Sequence, residues 1–122
     1  IQAVLGAVLA KRPPFGVVDS PVGTTTVAVG QPLSVSGWVL DGQLIGSVAV
    51  EVDGNLVGTL PVAGARADVC RAYPGYAGCP AVGFSGSVST LGWSPCPHRL
   101  TVSARDPDGN LTVLGERLVV LR

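Results

Sequence analysis

Covalent and coordination chemistry need nucleophiles, titratable groups or metal ligands brought close together, and this sequence holds few of them. It has three cysteines, Cys70, Cys79 and Cys96, and one histidine, His98. Cys70 and Cys79 bracket a short loop that closes easily, so a disulfide there would pin an irregular segment. By loop entropy it would stabilise the fold by about 2 to 3 kcal/mol, which presumes an oxidising compartment. Cys96 is then left over, either as a free, partly buried thiol or as a bond to another chain. No Cys-x-x-Cys pair sets zinc geometry with His98, so neither a metal nor a cofactor is expected. Asp106, Asp108 and Asn110 carry oxygens suited to calcium, but the run lacks the glutamate and spacing of an EF-hand loop and is explained as a turn. No nucleophile is suggested beside His98, which argues against Ser-His-Asp or Cys-His catalysis. Asp41, Glu51 and Asp53 fall on strand ends or polar faces, as solvated carboxylates rather than a glycosidase pair. No glycine-rich phosphate loop leads into a helix. The chain reads as non-catalytic.

Aromatic side chains raise a different chemistry, because sugar rings stack on exposed aromatic faces. Trp38 lies in a strand pattern and is expected in the core. Tyr73, Tyr76 and Trp93 lie in loops and are the candidates for contact with surface glycans.

The elements that would position these residues are strands. Leu33, Val35, Gly37 and Val39 alternate with polar or bulky neighbours, and Val48, Val50 and Val52 alternate with Ala49, Glu51 and Asp53, the period of two that places one face on a core. Asp53-Gly54 is a tight-hairpin dipeptide, because type I′ turns need positive φ. Residues 33–58 therefore read as three strands in a row, which cannot bury their apolar face unless a second sheet covers it. Short strands are expected at Phe15 to Asp19 and Thr24 to Val29. Periodicity is lost over residues 61–82, read as a crossing between sheets in which Asp68 caps one helical turn that Pro74 ends. Patterning resumes at Phe84, Gly86 and Val88, at Leu100, Val102 and Ala104, and in a last strand interrupted by Gly115-Glu116. The expected core is Val35, Trp38, Val50, Val52, Phe84, Val88, Leu100, Val102 and Val113, and the fold class is an all-β, Greek-key sandwich.

Residues 1–12 stand apart from this pattern. Ile1, Ala3, Leu5, Ala7 and Leu9 would line one side of a strand, and Ile1, Val4, Leu5 and Val8 one side of a helix; Gly6 and the missing cap tilt the reading to a strand. Pro13-Pro14 separates this apolar segment from a domain at residues 13–122. Charged residues make up 13% of the 122, with eight basic and eight acidic side chains. That balance gives no field to steer nucleic acid, and so few charges suit either a small β domain rich in Val, Gly and Ala or a subunit whose surface is largely covered by partners. No run of about 18 apolar residues provides a membrane span.

The strings PFGVVDSP, SGWVLD, VEVDGNLVG, ADVCRAYPG, GFSGSVSTL and RLTVSARDPDGN, in this order and spacing, resemble a bacterial immunoglobulin-like domain of secreted and cell-surface proteins. The resemblance runs from Pro14 to about Val120. It implies a spacer, adhesive module or appendage outside the cell, without a shared catalytic site. The leading expectation is a structural subunit of an extracellular filament or pilus-like appendage, a homopolymer in which residues 1–10 add as a donor strand to the next copy through Ile1, Ala3, Leu5, Ala7 and Leu9. The alternative is an adhesive, carbohydrate-binding or spacer module of a larger secreted protein.

Overall fold

A computed structural model describes residues 13–122. The candidate donor strand, and with it the expected interface residues Ile1, Ala3, Leu5, Ala7 and Leu9, lies outside the described residues. The elements are β1 (Phe15–Ser20), β2 (Thr25–Val27), β3 (Leu33–Leu40), β4 (Ser47–Val52), β5 (Asn55–Ala65), α1 (Ala67–Ala72), β6 (Ala81–Val88), β7 (His98–Arg105) and β8 (Leu111–Leu121). They form two sheets joined through β5, in the order β1-β3-β6-β5 and then β5-β4-β7-β8-β2. Neighbours are antiparallel except β2, which runs parallel to β8. This is an all-β sandwich of immunoglobulin type.

The hairpin at residues 53–54 forms as its dipeptide dictates. Asp53 has φ 52° and Gly54 φ 84°, the two positive values of a type I′ turn, and Val52 pairs with Asn55 across it. The preceding strand is not its neighbour, however. β3 pairs with β1 and β6 in the first sheet, while the β4–β5 hairpin lies in the second. The three strands of residues 33–58 therefore face one another across the core, because the connection after Leu40 passes from sheet to sheet.

The return crossing is made within a strand rather than by the irregular segment expected over residues 61–82. β5 pairs with β4 as far as Pro61, and from Val62 it pairs with β6. Proline cannot donate to a ladder and suits the point where a strand leaves its partner. Irregularities on either side of Gly64 complete the bend. α1 follows at once, with Arg66 at its N-cap and no side-chain bond there, so Asp68 is not the cap. It lies inside the first turn, where a carboxylate complements the helix dipole.

Between the sheets the core contains Val35, Val50, Val52, Phe84, Val88, Leu100 and Val102, as the alternation predicts, joined by Leu33, Val39, Val48, Leu60 and Val119. The ring of Phe84 lies over Gly37, where an added Cβ would come within 2.7 Å of Phe84 Cζ. Two expected core residues lie elsewhere. Trp38 has the opposite parity from Val35 and joins a second cluster around Leu40, Val69 and Val82. Val113 is 51% exposed. Its partner is Ser103 while Gly115 pairs with Val102, so Leu114 is an extra residue in the ladder. Such a bulge reverses the parity of everything before it, turning Leu114 inward against the core and Val113 outward.

These positions separate in stability. Leu100→Ala is expected to cost about 2 to 4 kcal/mol through the lost burial and the cavity left behind. Val113→Ala should stay within about 0.5 kcal/mol, as at other exposed positions. The shift of the urea midpoint measures both.

Candidate functional site

Strand directions give the sandwich two poles. Phe15 pairs with Leu40, which places the start of β1 beside the end of β3. The same entry pole carries the connection after Leu40, helix α1, the start of β6 and the turn after β7. Leu33 pairs with Val88, and His98 with Val119, so the exit pole carries the end of β6, the start of β7 and the end of β8.

At the entry pole four aromatic rings pack on one another. Phe15 is at the centre, with ring centroids 6.1 Å from Trp38, 5.5 Å from Tyr73 and 5.3 Å from Tyr76, all edge-on. Trp38 and Tyr73 are 5.7 Å apart. Leu40, Val69 and Val82 are buried behind them. Cys70 and Cys79 are disulfide-bonded, with Cα atoms 5.9 Å apart, and so fasten α1 to the approach of β6. Arg66 donates from Nη1 to Asp19 at 2.8 Å and, through Nε and Nη2, to both oxygens of Asp68 at 3.1 Å. The helix is thereby tied to β1. Those bonds, to Asp68 first and then Asp19, raise the proton affinity of the guanidinium, and the Arg66 bond holds Asp68 below the usual carboxylate range.

Asp41 departs most from its reading as a solvated carboxylate. Directly after β3, it is 2% exposed. Its Oδ2 accepts from the Gln43 backbone N–H at 2.9 Å, and its main-chain oxygen accepts from Ala77 N–H at 3.1 Å. Asp41 Oδ1 and Gln43 Oε1 are buried and receive no donor. Both residues line a recess of about 130 Å3 walled by Leu44, Ile45, Val62 and Val82. Asp106, itself 3% exposed, accepts from the backbone and side-chain N–H groups of Asn110 at 2.9 and 3.0 Å and so closes the β7–β8 turn. Burial pushes the Asp41 carboxyl up, and the negative charges of Asp106 and Asp108 push it further.

At the exit pole, His98 Nδ1 lies 2.6 Å from Asp53 Oδ2, and Nε2 lies 2.9 Å from the carbonyl oxygen of Ser94. Both partners are acceptors, so the ring satisfies both as an imidazolium with two N–H donors. The Asp53 bond, and then the Ser94 carbonyl, raise the His98 pKa. Asp53 is held below the usual range first by the Arg99 backbone N–H, 3.0 Å from Oδ1, and then by His98. Trp93 packs on His98 with centroids 5.1 Å apart and rests against the main core.

The three rings expected to contact glycans are thus divided. Tyr73, 44% exposed, and Tyr76 belong to the entry-pole cluster, and Trp93 is at the other end of the sandwich. Cys96 is free and exposed. Among the described residues no three or more His, Cys, Asp or Glu side chains gather as a metal-binding group, and no helix is long and apolar enough to cross a membrane. The pairing of His98 with Asp53 carries no signal in the sequence, because it spans 45 residues and depends on the β4–β5 turn meeting the start of β7. Burial of Asp41 was equally hidden, since strand parity says nothing about a residue just past a strand end.

No family model matches the chain, and no curated protein matches it. Among solved structures it is similar to the fibronectin(III)-like modules of Clostridium thermocellum CbhA, with a TM-score of 0.61 and 15% identity over 87% of this chain and 93% of that one. At this identity the likeness defines the fold, a fibronectin-type, immunoglobulin-like sandwich.

Two outcomes follow from the clamps at the two poles. The folded His98 pKa lies above the ordinary value of 6.5, so its contribution is fully present below about pH 6.5 and fades as pH rises through the folded value. Asp53 is lowered from 3.8, so its contribution is present above that value and fades as acid is added. Thermal melts between pH 6 and 8 should therefore show the wild type losing stability with rising pH, and His98→Gln losing this part of the slope. Reducing the Cys70–Cys79 bond should lower the unfolding free energy by about 2 to 3 kcal/mol, read from urea melts with and without reductant.

Proposed function

We propose that this chain is a non-catalytic spacer module of a larger extracellular protein. The observation that carries the reading is the separation of its ends. The chain enters β1 at one pole and leaves β8 at the other, so modules joined in series would stack along the strand direction instead of folding back. Eight-residue strands such as β3 and β7 span about 26 Å at roughly 3.3 Å per residue, which sets the scale of the rise per module. A disulfide around the least regular segment suits an oxidising exterior. The likeness to fibronectin(III)-like modules agrees with this reading and less with a filament subunit.

Strand donation either fills a gap in a sandwich that lacks a strand or adds to an exposed sheet edge. Here β8 lies between β7 and β2 in the second sheet, antiparallel to the first and parallel to the second, with Val119 fully buried. The first sheet likewise has its four strands from the same chain. The inner faces are covered without help from a neighbour, which favours the spacer over the homopolymer.

Small-angle scattering from one, two and three full chains in tandem tests the proposal. The maximum dimension should grow by about 30 Å per added module, on the strand-length scale. Compact pairs lying side by side would refute it. Long filaments of the single chain in sedimentation and electron microscopy, lost on deleting residues 1–10, would restore strand donation instead.

A further inference from the structure

We propose that the outer face of the second sheet docks on the same face of a second copy of this chain, as a two-fold pair. Stacking through the poles leaves this side of the sandwich free, so the contact goes beyond the spacer reading and stands or falls separately from it. The first observation is the composition of the face. Residues directly opposite each other in antiparallel strands share a face, and the pairings of β5, β4, β7 and β8 set theirs in rows. Leu56, Glu51, Thr101 and Glu116 form one row, Thr59, Ala49, Ser103 and Val113 the next, and Arg105 with Leu111 lies beyond it. An outer face that stays in water alternates to polar residues. Here Leu56, Leu111, Val113 and Leu118 are 47 to 65% exposed, at both margins of the face.

The second observation is shape. Ala49 and Ser103, the latter 5% exposed, floor a furrow between the longer side chains of Leu56, Glu51, Arg105 and Leu111. A small-residue floor with leucine rims is self-complementary, since a rim of each copy can enter the furrow of the other. With strands about 4.8 Å apart and same-face rows about 6.7 Å apart, four strands by four rows cover about 500 Å2 of each copy. The pair buries about 1,000 Å2 in total, the low end of specific interfaces and the class of weak, transient contacts.

The third observation selects the occupant. Glu51 on β4 and Arg105 on β7 stand on opposite sides of the furrow, two rows apart. Among the described residues the ion pairs join Arg66 to Asp19 and Asp68, His98 to Asp53, and Arg99 to Glu116, so neither Glu51 nor Arg105 has a partner. An isologous contact repeats every meeting of one residue with another. A two-fold rotation that brings Glu51 of one copy to Arg105 of the other therefore makes the reciprocal pair as well. An unrelated partner would need both charges in this arrangement, whereas a second copy has them by symmetry. Eight acidic and eight basic side chains leave no net charge to hold copies apart.

Sedimentation equilibrium of the single full chain, from about 10 µM to about 1 mM, is the direct test. The mean mass should rise from one chain towards two and no further, because a two-fold contact closes. Over the same range the NMR amide signals of Ala49, Thr101 and Ser103 should move while those of Leu33 and Val88, in the first sheet, stay in place. Glu51→Arg and Arg105→Glu should each raise the dissociation constant at least about tenfold by setting like charges opposite each other. An equimolar mixture of these two variants should pair again, because each supplies the charge that the other lacks, a rescue that a misfolded variant cannot give. Leu111→Ser, at an exposed position, should also weaken pairing and serves where a charge variant fails to fold. Tandem scattering repeated with Glu51→Arg in every module reads the spacer proposal free of this contact. The pairing proposal is overturned if the mass stays at one chain throughout, if any folded single variant pairs as the wild type does, or if the mixture pairs no better than its components. Moving signals confined to residues 55–60 would overturn it too, by placing the contact at the edge of β5.

Discussion

Two apolar sheet faces bury each other only if they are held about 10 Å apart in fixed register, and in this domain a single strand holds them. β5 belongs to both sheets, exchanging β4 for β6 between Pro61 and Val62. Leu60, just before the exchange, is buried in the shared core, and the Val62 N–H donates to the Gly46 oxygen at 3.0 Å. The crossing therefore loses little hydrogen bonding. Everything at the entry pole depends on it, because the first turn of α1 begins two residues after β5 ends.

From that constraint comes the difference between the poles. The entry pole must cover the outer side of the first sheet with irregular chain, and it does so with a disulfide, a bidentate Arg66–Asp68 pair and edge-on aromatic contacts around Phe15. Each ties a segment without ladder bonds to a strand that has them. The exit pole has shorter connections and is clamped by His98, whose ring joins the β4–β5 turn to the loop before β7. Charge is distributed accordingly. The exit-pole carboxylate is matched by a ring that carries a proton, whereas Asp41 and Asp106 at the entry pole have no basic partner among the described residues.

Local regularities were legible where they involve one strand and one turn. Val48, Val50 and Val52 alternate inward, and Asp53-Gly54 turns as its composition requires. Leu100, Val102 and Ala104 are each 1% exposed. Readings failed wherever a single residue changed parity or partner. The extra Leu114 turned Val113 to solvent, and Trp38 followed its own parity to the outer cluster rather than the preference of a tryptophan for the core. Residues 33–58 were legible as three strands but not as strands of two sheets, since period and turn chemistry are the same whichever sheet a strand joins.

By itself, then, the sequence determined the strand set, the hairpin, the inward faces of β3, β4 and β7 and the cysteines close enough to bridge, because each rests on neighbours within a few residues and on the fixed geometry of an extended chain. Only tertiary structure decided that β5 is shared, that Tyr73 and Tyr76 lie at the opposite pole from Trp93, that His98 meets Asp53, and that Asp41 is buried beside Asp106. His98 and Asp53 are 45 residues apart in the chain, and Val62 of β5 meets Phe84 of β6 only across the helix and loop between them. They form when the two sheets close on each other, and burial then sets the charge and hydrogen-bonding demands of side chains that, in an open chain, water would satisfy.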